Sequence, residues 1–220
     1  MQAKSLFKSV SVALATATLA VAAWASPVVY VETPTGTGDL PGTAETAAAS
    51  IGELQIQGTF LDGNGGNPRN LVDLYGFSIT NAGRYFFNTI GSEVADTRLF
   101  LFDSAGNGLV WNNDYTDPAT STLSALDSFL DVGSYFIGVS FGDMDPFDGA
   151  TMSIFDTLGS GGGALSGSGA LAGWTNFNPD LLFDRSSYVI NAYIPTPSAL
   201  ALALAALGLM AGVSARRRAA

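Results

Sequence analysis

Short runs of alternating apolar and polar residues, separated by Gly, Asn and Asp, constrain the fold of this chain more than any other feature. Between Gly52 and Phe60, for example, Leu54, Ile56 and Phe60 alternate with polar neighbours. A period of two is typical of a strand with one buried face. Further short strand candidates follow every 8–12 residues along the middle of the chain, at 71–80, 84–89, 98–103, 109–113, 122–130, 134–141, 150–157 and 187–194, of which 98–103 is a continuous apolar run. Eight or nine such strands predict an all-β, antiparallel β-sandwich.

The connections refine this prediction. Asn81, Ala82 and Gly83 separate two aromatic runs and predict a hairpin. Residues 26–50 are interpreted as a leader into the domain, within which Ala44–Ser50 could form a helical turn, and 51–194 as the sandwich. The Gly/Ser-rich stretch 159–173 predicts a flexible loop before the last strand.

The first 25 residues have the pattern of a secretory signal. Lys4 and Lys8 precede an uncharged run that closes on Ala23-Trp24-Ala25, so a signal helix cut by signal peptidase after Ala25 is predicted. A retained N-terminal anchor is the alternative. The run is short and ends in small residues, which favours cleavage.

The last 26 residues, 195–220, predict a membrane segment. An apolar run at 198–215 is followed by Arg216, Arg217 and Arg218. About 20 helical residues cross a bilayer, so 18 residues just suffice. An arginine cluster remains cytoplasmic, which places the preceding domain outside the cell. A buried core helix is the alternative reading of this run.

Pro195, Thr196 and Pro197, the apolar span and the arginine cluster together resemble the PEP-CTERM sorting signal of Gram-negative bacteria. The usual tripeptide of that family is Pro-Glu-Pro, and Thr196 departs from it. The resemblance implies that an exosortase-type enzyme cuts near the tripeptide. The protein would then be anchored transiently in the inner membrane and released to the cell surface or extracellular matrix.

The charge of the middle region excludes one class of partner. All 19 acidic residues lie between the predicted signal and the predicted tail, together with only four arginines, which gives a net charge of about −15 (4 − 19). Nucleic-acid recognition needs a basic surface, so no nucleic-acid partner is expected. The chain also has no Cys and no His, which excludes thiol and imidazole nucleophile systems and His/Cys zinc sites. Carboxylates remain as the acid–base groups of a hydrolase.

A second resemblance extends over about residues 39–157. It is carried by the order and spacing of several short motifs, which are Asp39–Ala44, Gly58–Phe60, Val72–Phe77, Asp96–Gly106, Asn112–Asp114 and Val132–Val139. These are similar to the bacterial pre-peptidase C-terminal (PPC) domain. The resemblance implies a jelly-roll-like sandwich of the kind that serves as an accessory module of secreted enzymes, and we expect no catalytic domain in the remaining residues of this sequence.

Calcium is the candidate cofactor, because it takes six to eight oxygen ligands and exported domains meet it in abundance. One candidate site comprises Asp39, Asp62 and Asp73, the region where some PPC domains hold calcium. Another comprises Asp143, Asp145 and Asp148, with compact loop spacing. Asp73 has a structural alternative: it lies on an apolar face and could be satisfied by backbone amides or an arginine such as Arg69.

Trp111 and Trp174 lie near predicted turns and could stack on sugars, with core packing as the alternative. The sequence therefore predicts a non-catalytic exported envelope or matrix protein, with exopolysaccharide as a candidate partner. Its alternatives are a polysaccharide- or calcium-binding accessory module and a carboxylate-based hydrolase.

Overall fold

Thirteen strands form the described part of the chain in the computed structural model. It describes residues 27–33, 38–48, 53–61, 69–93, 96–114, 123–142, 144–150, 152–156, 161–175 and 185–193. The strands are β1 (Val28–Val31), β2 (Glu45–Ala48), β3 (Glu53–Leu61), β4 (Val72–Ile79), β5 (Gly83–Asn88), β6 (Thr97–Asp103), β7 (Gly108–Asn112), β8 (Ala125–Leu130), β9 (Gly133–Phe141), β10 (Pro146–Asp148), β11 (Gly161–Gly163), β12 (Leu171–Trp174) and β13 (Arg185–Tyr193).

Two large sheets pack face to face. One has five strands in the order β1-β3-β13-β5-β8, and the other has six in the order β11-β7-β6-β9-β4-β2. Alternate residues of the longer strands point into the space between the sheets, including Ile56, Tyr75, Phe87 and Ile190, and form the main hydrophobic core. The period of two read from the sequence therefore identifies the core-facing residues of both sheets.

A second, smaller core covers the opposite face of the six-stranded sheet. Leu99 and Leu101 of β6 point into the main core, whereas Phe100 and Phe102 point away from it. Those two rings pack against Ile154, Phe155 and other side chains that lie near the two-stranded sheet β10-β12. Strand β6 is therefore buried on both faces, as its continuous apolar run indicates.

The all-β prediction is confirmed for the described residues, but they hold thirteen strands where eight or nine were predicted, and the sheets are mixed and not purely antiparallel. Strand β1 pairs in parallel with β3, and β2 pairs in parallel with β4. Both strands lie in the predicted leader 26–50, so this segment is part of the sheets. The predicted helical turn at Ala44–Ser50 is wrong, because Glu45–Ala48 extends along β4.

The predicted hairpin at Asn81-Ala82-Gly83 is also wrong. Strand β4 pairs with β9 and β2, whereas β5 pairs with β13 and β8 in the opposite sheet, so the turn carries the chain from one sheet to the other. The β8–β9 connection crosses in the same way. In each crossing a tyrosine hydroxyl donates to a backbone carbonyl four residues earlier: Tyr85 to Asn81 at 2.8 Å and Tyr135 to Asp131 at 3.1 Å.

Two predictions for the C-terminal half need correction. The stretch 159–173 is not simply a loop, because it contains β11, which pairs with β7, and the start of β12. The strand predicted at 150–157 is reduced to isolated bridges at Ser153 and Phe155, and β10 forms just before it.

Both predicted targeting segments, 1–25 and 195–220, lie outside the described residues, and so do Ala23, Ala25, Pro195, Thr196, Pro197 and Arg216–Arg218. Within the part of the chain that the structure describes, no helix is long and apolar enough to span a membrane.

Candidate functional site

A buried polar cluster between the two sheets is the most unusual feature of the core. It centres on Asp73 of β4, whose side chain is fully buried and points toward the five-stranded sheet. One carboxylate oxygen accepts a hydrogen bond from the side-chain amide of Asn70 at 2.9 Å. The other accepts one from the hydroxyl of Tyr188 on β13 at 2.7 Å. The carboxylate is therefore satisfied by hydrogen bonds, as a buried charge must be.

The hydroxyl of Tyr188 joins this carboxylate to a second phenol. It lies 2.5 Å from the hydroxyl of Tyr75, and both rings are fully buried. A phenol has one proton, and Tyr188 uses its proton on Asp73, so Tyr75 is the donor between the two tyrosines. Burial, followed by the negative charge of Asp73, raises the pKa of Tyr188 well above its ordinary value.

Gly58 on β3 makes room for this cluster. A Cβ atom at this position would overlap the hydroxyl of Tyr188 and lie 2.8 Å from a carboxylate oxygen of Glu32. That same oxygen of Glu32 accepts a hydrogen bond from the backbone N–H of Thr59 at 2.8 Å. A glycine in the interior of a strand is explained here by the close approach of a side chain from the neighbouring strand.

Two further strands are tied to the edge of the cluster. The hydroxyl of Tyr30 on β1 donates to the carboxylate of Glu45 on β2, so this bond links the five-stranded sheet to the six-stranded sheet. The ring of Tyr30 also meets the ring of Tyr75 edge-on, with 6.0 Å between centroids. Burial, followed by the hydrogen bond with Glu45, raises the pKa of Tyr30 to about 12.

The electrostatics of the cluster favour a structural role. Raised phenol pKa values keep Tyr30 and Tyr188 protonated at neutral pH, so they act as hydrogen-bond donors and not as bases. Asp73 is covered on all sides and already bonded, so a substrate cannot reach it without opening the two sheets. The arrangement can join the sheets. Asp73 is hydrogen-bonded within the fold, but by the side chains of Asn70 and Tyr188, neither of which the structural alternative had named.

The first predicted calcium set is only partly within the described residues. Asp62 lies outside them. Asp39 is partly buried, which raises its pKa, and its backbone carbonyl accepts a hydrogen bond from the indole N–H of Trp174 at 2.7 Å. Asp73 is held by Asn70 and Tyr188 as described above.

In the second calcium set Asp143 lies outside the described residues. Asp145 forms a 2.5 Å ion pair with Arg98, a nearly buried side chain. Asp148 accepts the backbone N–H of Gly169 at 2.9 Å and those of two residues in the following turn. These bonds, that of Gly169 first, lower the pKa of Asp148. Among the described residues, no three acidic side chains are grouped so that they could hold a metal ion.

The two tryptophans occupy the smaller core. Trp111 is 1% exposed and stacks on Phe100 with 6.0 Å between ring centroids, while the guanidinium of Arg98 lies 5.8 Å from its centroid. A sugar cannot stack on a ring that is already covered, so the sugar-stacking prediction is wrong for Trp111. Trp174 is partly buried and meets Phe100 edge-on at 5.3 Å, so it also contributes to this core.

Sequence reasoning missed the cluster itself, although two of its members carried a signal. Gly58 interrupts an alternating strand at a core-facing position, and Asp73 shares the apolar face of β4 with Tyr75. Both features indicate a polar group inside the core. The partner strand that supplies Tyr188 lies 115 residues away from Asp73 in sequence, and no local pattern identifies it.

The fold defines an all-β protein of two packed mixed sheets with a polar cluster between them. No protein-family model matches the chain, and no curated protein matches it. Among solved structures, it is similar to the pre-peptidase C-terminal domain of a collagenase from Bacillus anthracis, at 13% identity. That match covers 68% of this chain and 98% of that chain, with a TM-score of 0.37. The neighbour is a domain of the kind that the sequence resembles.

Proposed function

We propose that this chain is an exported, non-catalytic protein of the cell envelope or extracellular matrix. Its β-sandwich would be the functional part, and the C-terminal segment 195–220 would be a temporary membrane anchor that an exosortase-type enzyme removes. The order of tripeptide, apolar span and arginine cluster, combined with the N-terminal signal, supports the route.

The non-catalytic part of the proposal is supported by the hydrogen bonds and the ion pair that the candidate carboxylates already form. Asp73, Asp145 and Asp148, three of the described aspartates singled out from the sequence, are held by groups of the fold itself. A general acid or base must instead face a cleft where substrate can reach it. With no Cys or His in the chain, engagement of these carboxylates favours a structural module over a hydrolase.

Mass spectrometry of the released protein tests the route. Expression of the full-length gene in a host with an exosortase should yield a secreted form that begins at Ser26 and lacks Arg216–Arg218. The variant Thr196→Glu restores the usual tripeptide of the predicted family and should be processed at least as completely. A secreted form that retains the arginines would contradict removal of the tail.

Calcium binding is the second proposed function, and it rests on the two aspartate sets singled out from the sequence and on the oxygen ligands that calcium takes. Calcium titration with thermal unfolding as the readout tests it. A ligand that binds only the folded state raises the midpoint, whereas an unchanged midpoint at millimolar calcium would exclude a site that matters at that concentration.

A further inference from the structure

The two large sheets differ in their outer faces. The smaller core covers the outer face of the six-stranded sheet. On the outer face of the five-stranded sheet, Val31 of β1 is 63% exposed, Phe129 of β8 is 68% exposed and Tyr193 of β13 is 36% exposed. We refer to this surface as the open face; the described side chains that the argument uses are Gln55, Gln57, Arg84, Phe86, Asn88, Asp127, Phe129, Asn191 and Tyr193.

A row of side-chain amides runs across the middle of the open face. The amide of Gln57 donates to Gln55 at 2.7 Å, Gln55 donates to Asn191 at 3.0 Å, and Asn191 donates to Asn88 at 3.0 Å. The row thus crosses strands β3, β13 and β5. The asparagines have little capacity left, because the second N–H of Asn191 donates to the carbonyl of Ile90 at 2.9 Å and Asn88, which is buried, also accepts the N–H of Ile90 at 3.0 Å. Each amide has two N–H donors and a carbonyl with two lone pairs, so the donors and acceptors left for a ligand are mainly those of Gln55 and Gln57.

An aromatic pair lies directly beside the amide row. Asn191 is opposite Asn88 and Tyr193 is opposite Phe86, so the two pairs are adjacent rows of the same sheet. Residues two apart along a strand are separated by about 7 Å. The ring centroids of Phe86 and Tyr193 are 5.2 Å apart. A ligand on the open face would therefore touch apolar rings and amides at the same time.

The charge of the open face restricts the ligand further. Arg84 and Asp127 form a 2.7 Å ion pair on its surface and neutralise each other, whereas Glu53 of β3 holds the register position opposite Tyr193 and adds an acidic residue at that end of the sheet. The chain as a whole has a net charge of −10, so a polyanion would be repelled and no basic patch attracts it here. An apolar protein partner would bury the amides without new hydrogen bonds, at a cost for each.

We propose that the open face binds a neutral polysaccharide. Hydroxyl groups both donate and accept hydrogen bonds, as the amide row does, and the C–H faces of a pyranose ring can pack on Phe86 and Tyr193. The proposal assigns a ligand class to a surface that the sequence did not single out. It rests on the proposed function only in that a matrix protein would meet such a polymer.

Affinity electrophoresis tests the proposal, with the secreted protein produced from the full-length gene. Native gels would contain dextran, laminarin or galactomannan as neutral polysaccharides, and alginate as the anionic control. We expect retardation by at least one neutral polymer and none by alginate. Tyr193→Ser should weaken this binding at least about tenfold, since covering an aromatic ring contributes on that order. Gln57→Ala should weaken it several-fold.

Val132→Ser is the matched control, because Val132 is 66% exposed but lies in the β8–β9 crossing and away from the open face. It should bind as the unsubstituted protein does. Equal unfolding curves would show that the variants are folded. Retardation by none of the neutral polymers would overturn the proposal, and so would binding that Tyr193→Ser and Gln57→Ala leave unchanged. Self-association lost in the same two variants would instead identify the face as a protein interface. Each of these results leaves the proposed sorting route untouched, because that route is tested by the mass of the secreted form.

Discussion

Substitution of Tyr188 by phenylalanine removes a single oxygen atom from the centre of the inter-sheet cluster. The ring remains, so the change in packing is small. Asp73 loses its donor on the five-stranded sheet and keeps Asn70, and the hydroxyl of Tyr75 loses its acceptor. Both groups are fully buried, so water does not readily replace the lost partner.

The expected loss of unfolding free energy is about 3 kcal/mol. A hydrogen bond to a charged group contributes about 1.5–3 kcal/mol, and the bond between the two phenols contributes about another 1 kcal/mol. The variant Tyr75→Phe removes the bond between the two neutral phenols and leaves Asp73 with Asn70 and Tyr188. Its expected cost is about 1 kcal/mol. The two variants delete the same atom type at adjacent places, so each is the control for the other.

Urea unfolding at pH 7, followed by circular dichroism, measures both losses. A loss for Tyr188→Phe equal to or smaller than that for Tyr75→Phe would refute the view that the cluster is organised around the carboxylate. The pH dependence adds an independent check. The pKa of Tyr188 is raised on folding, so its contribution is complete below pH ~10, where the unfolded phenol is protonated, and is lost at higher pH. The difference in unfolding free energy between the native protein and the Tyr188→Phe variant should therefore become smaller above pH ~10.

Three further predictions concern other parts of the fold. Gly58→Ala should cost about 1–3 kcal/mol in urea unfolding, because its Cβ would overlap a tyrosine hydroxyl, whereas Gly149→Ala, with nothing within 4 Å of the added atom, should be nearly neutral. Tyr85→Phe should cost about 1 kcal/mol and Tyr135→Phe clearly less, because the hydroxyl bond of Tyr135 is exposed; equal losses would contradict this reasoning. Asp148→Asn should destabilise the protein at neutral pH, and the difference should disappear as the pH falls below about 3.9, since the pKa of this carboxyl is lowered on folding; a difference that persists in acid-unfolding curves would contradict this assignment.

Alternation identified most strands because it depends on which side of a sheet a residue occupies. It does not say which strand lies alongside. The error at Asn81-Ala82-Gly83 shows this difference: both flanking strands were predicted, but they belong to opposite sheets. The same limit applies to β1 and β2, whose short runs gain their strand structure from parallel partners later in the chain. Strand β11 consists of three glycines and carries no side-chain pattern at all.

The candidate site was predictable in part. The position of Asp73 on an apolar face required a partner, and that expectation is confirmed. The identity of the partner depends on a contact between β4 and β13, which only the folded chain brings together. Trp111 was misjudged for a related reason. It precedes a polar turn, but β11 pairs with β7 directly beside it and the smaller core covers its ring.

Tyrosine hydroxyls take the place that disulfides hold in many exported domains. The chain has no Cys, and in its described part several tyrosines use the phenol oxygen to link separate segments or the two sides of a turn; these are Tyr30, Tyr75, Tyr85, Tyr135 and Tyr188. Unlike a disulfide, such a link does not depend on the redox state of the surroundings. It depends on the phenol remaining protonated, and burial raises the pKa of Tyr30, Tyr85 and Tyr188 above the ordinary value. These links should therefore remain intact in reducing and oxidising media alike and fail only in strong alkali. We therefore expect the same unfolding curve with and without a thiol reductant. We also expect the free energy of unfolding to decrease above pH ~10, where the phenols of the unfolded chain ionise.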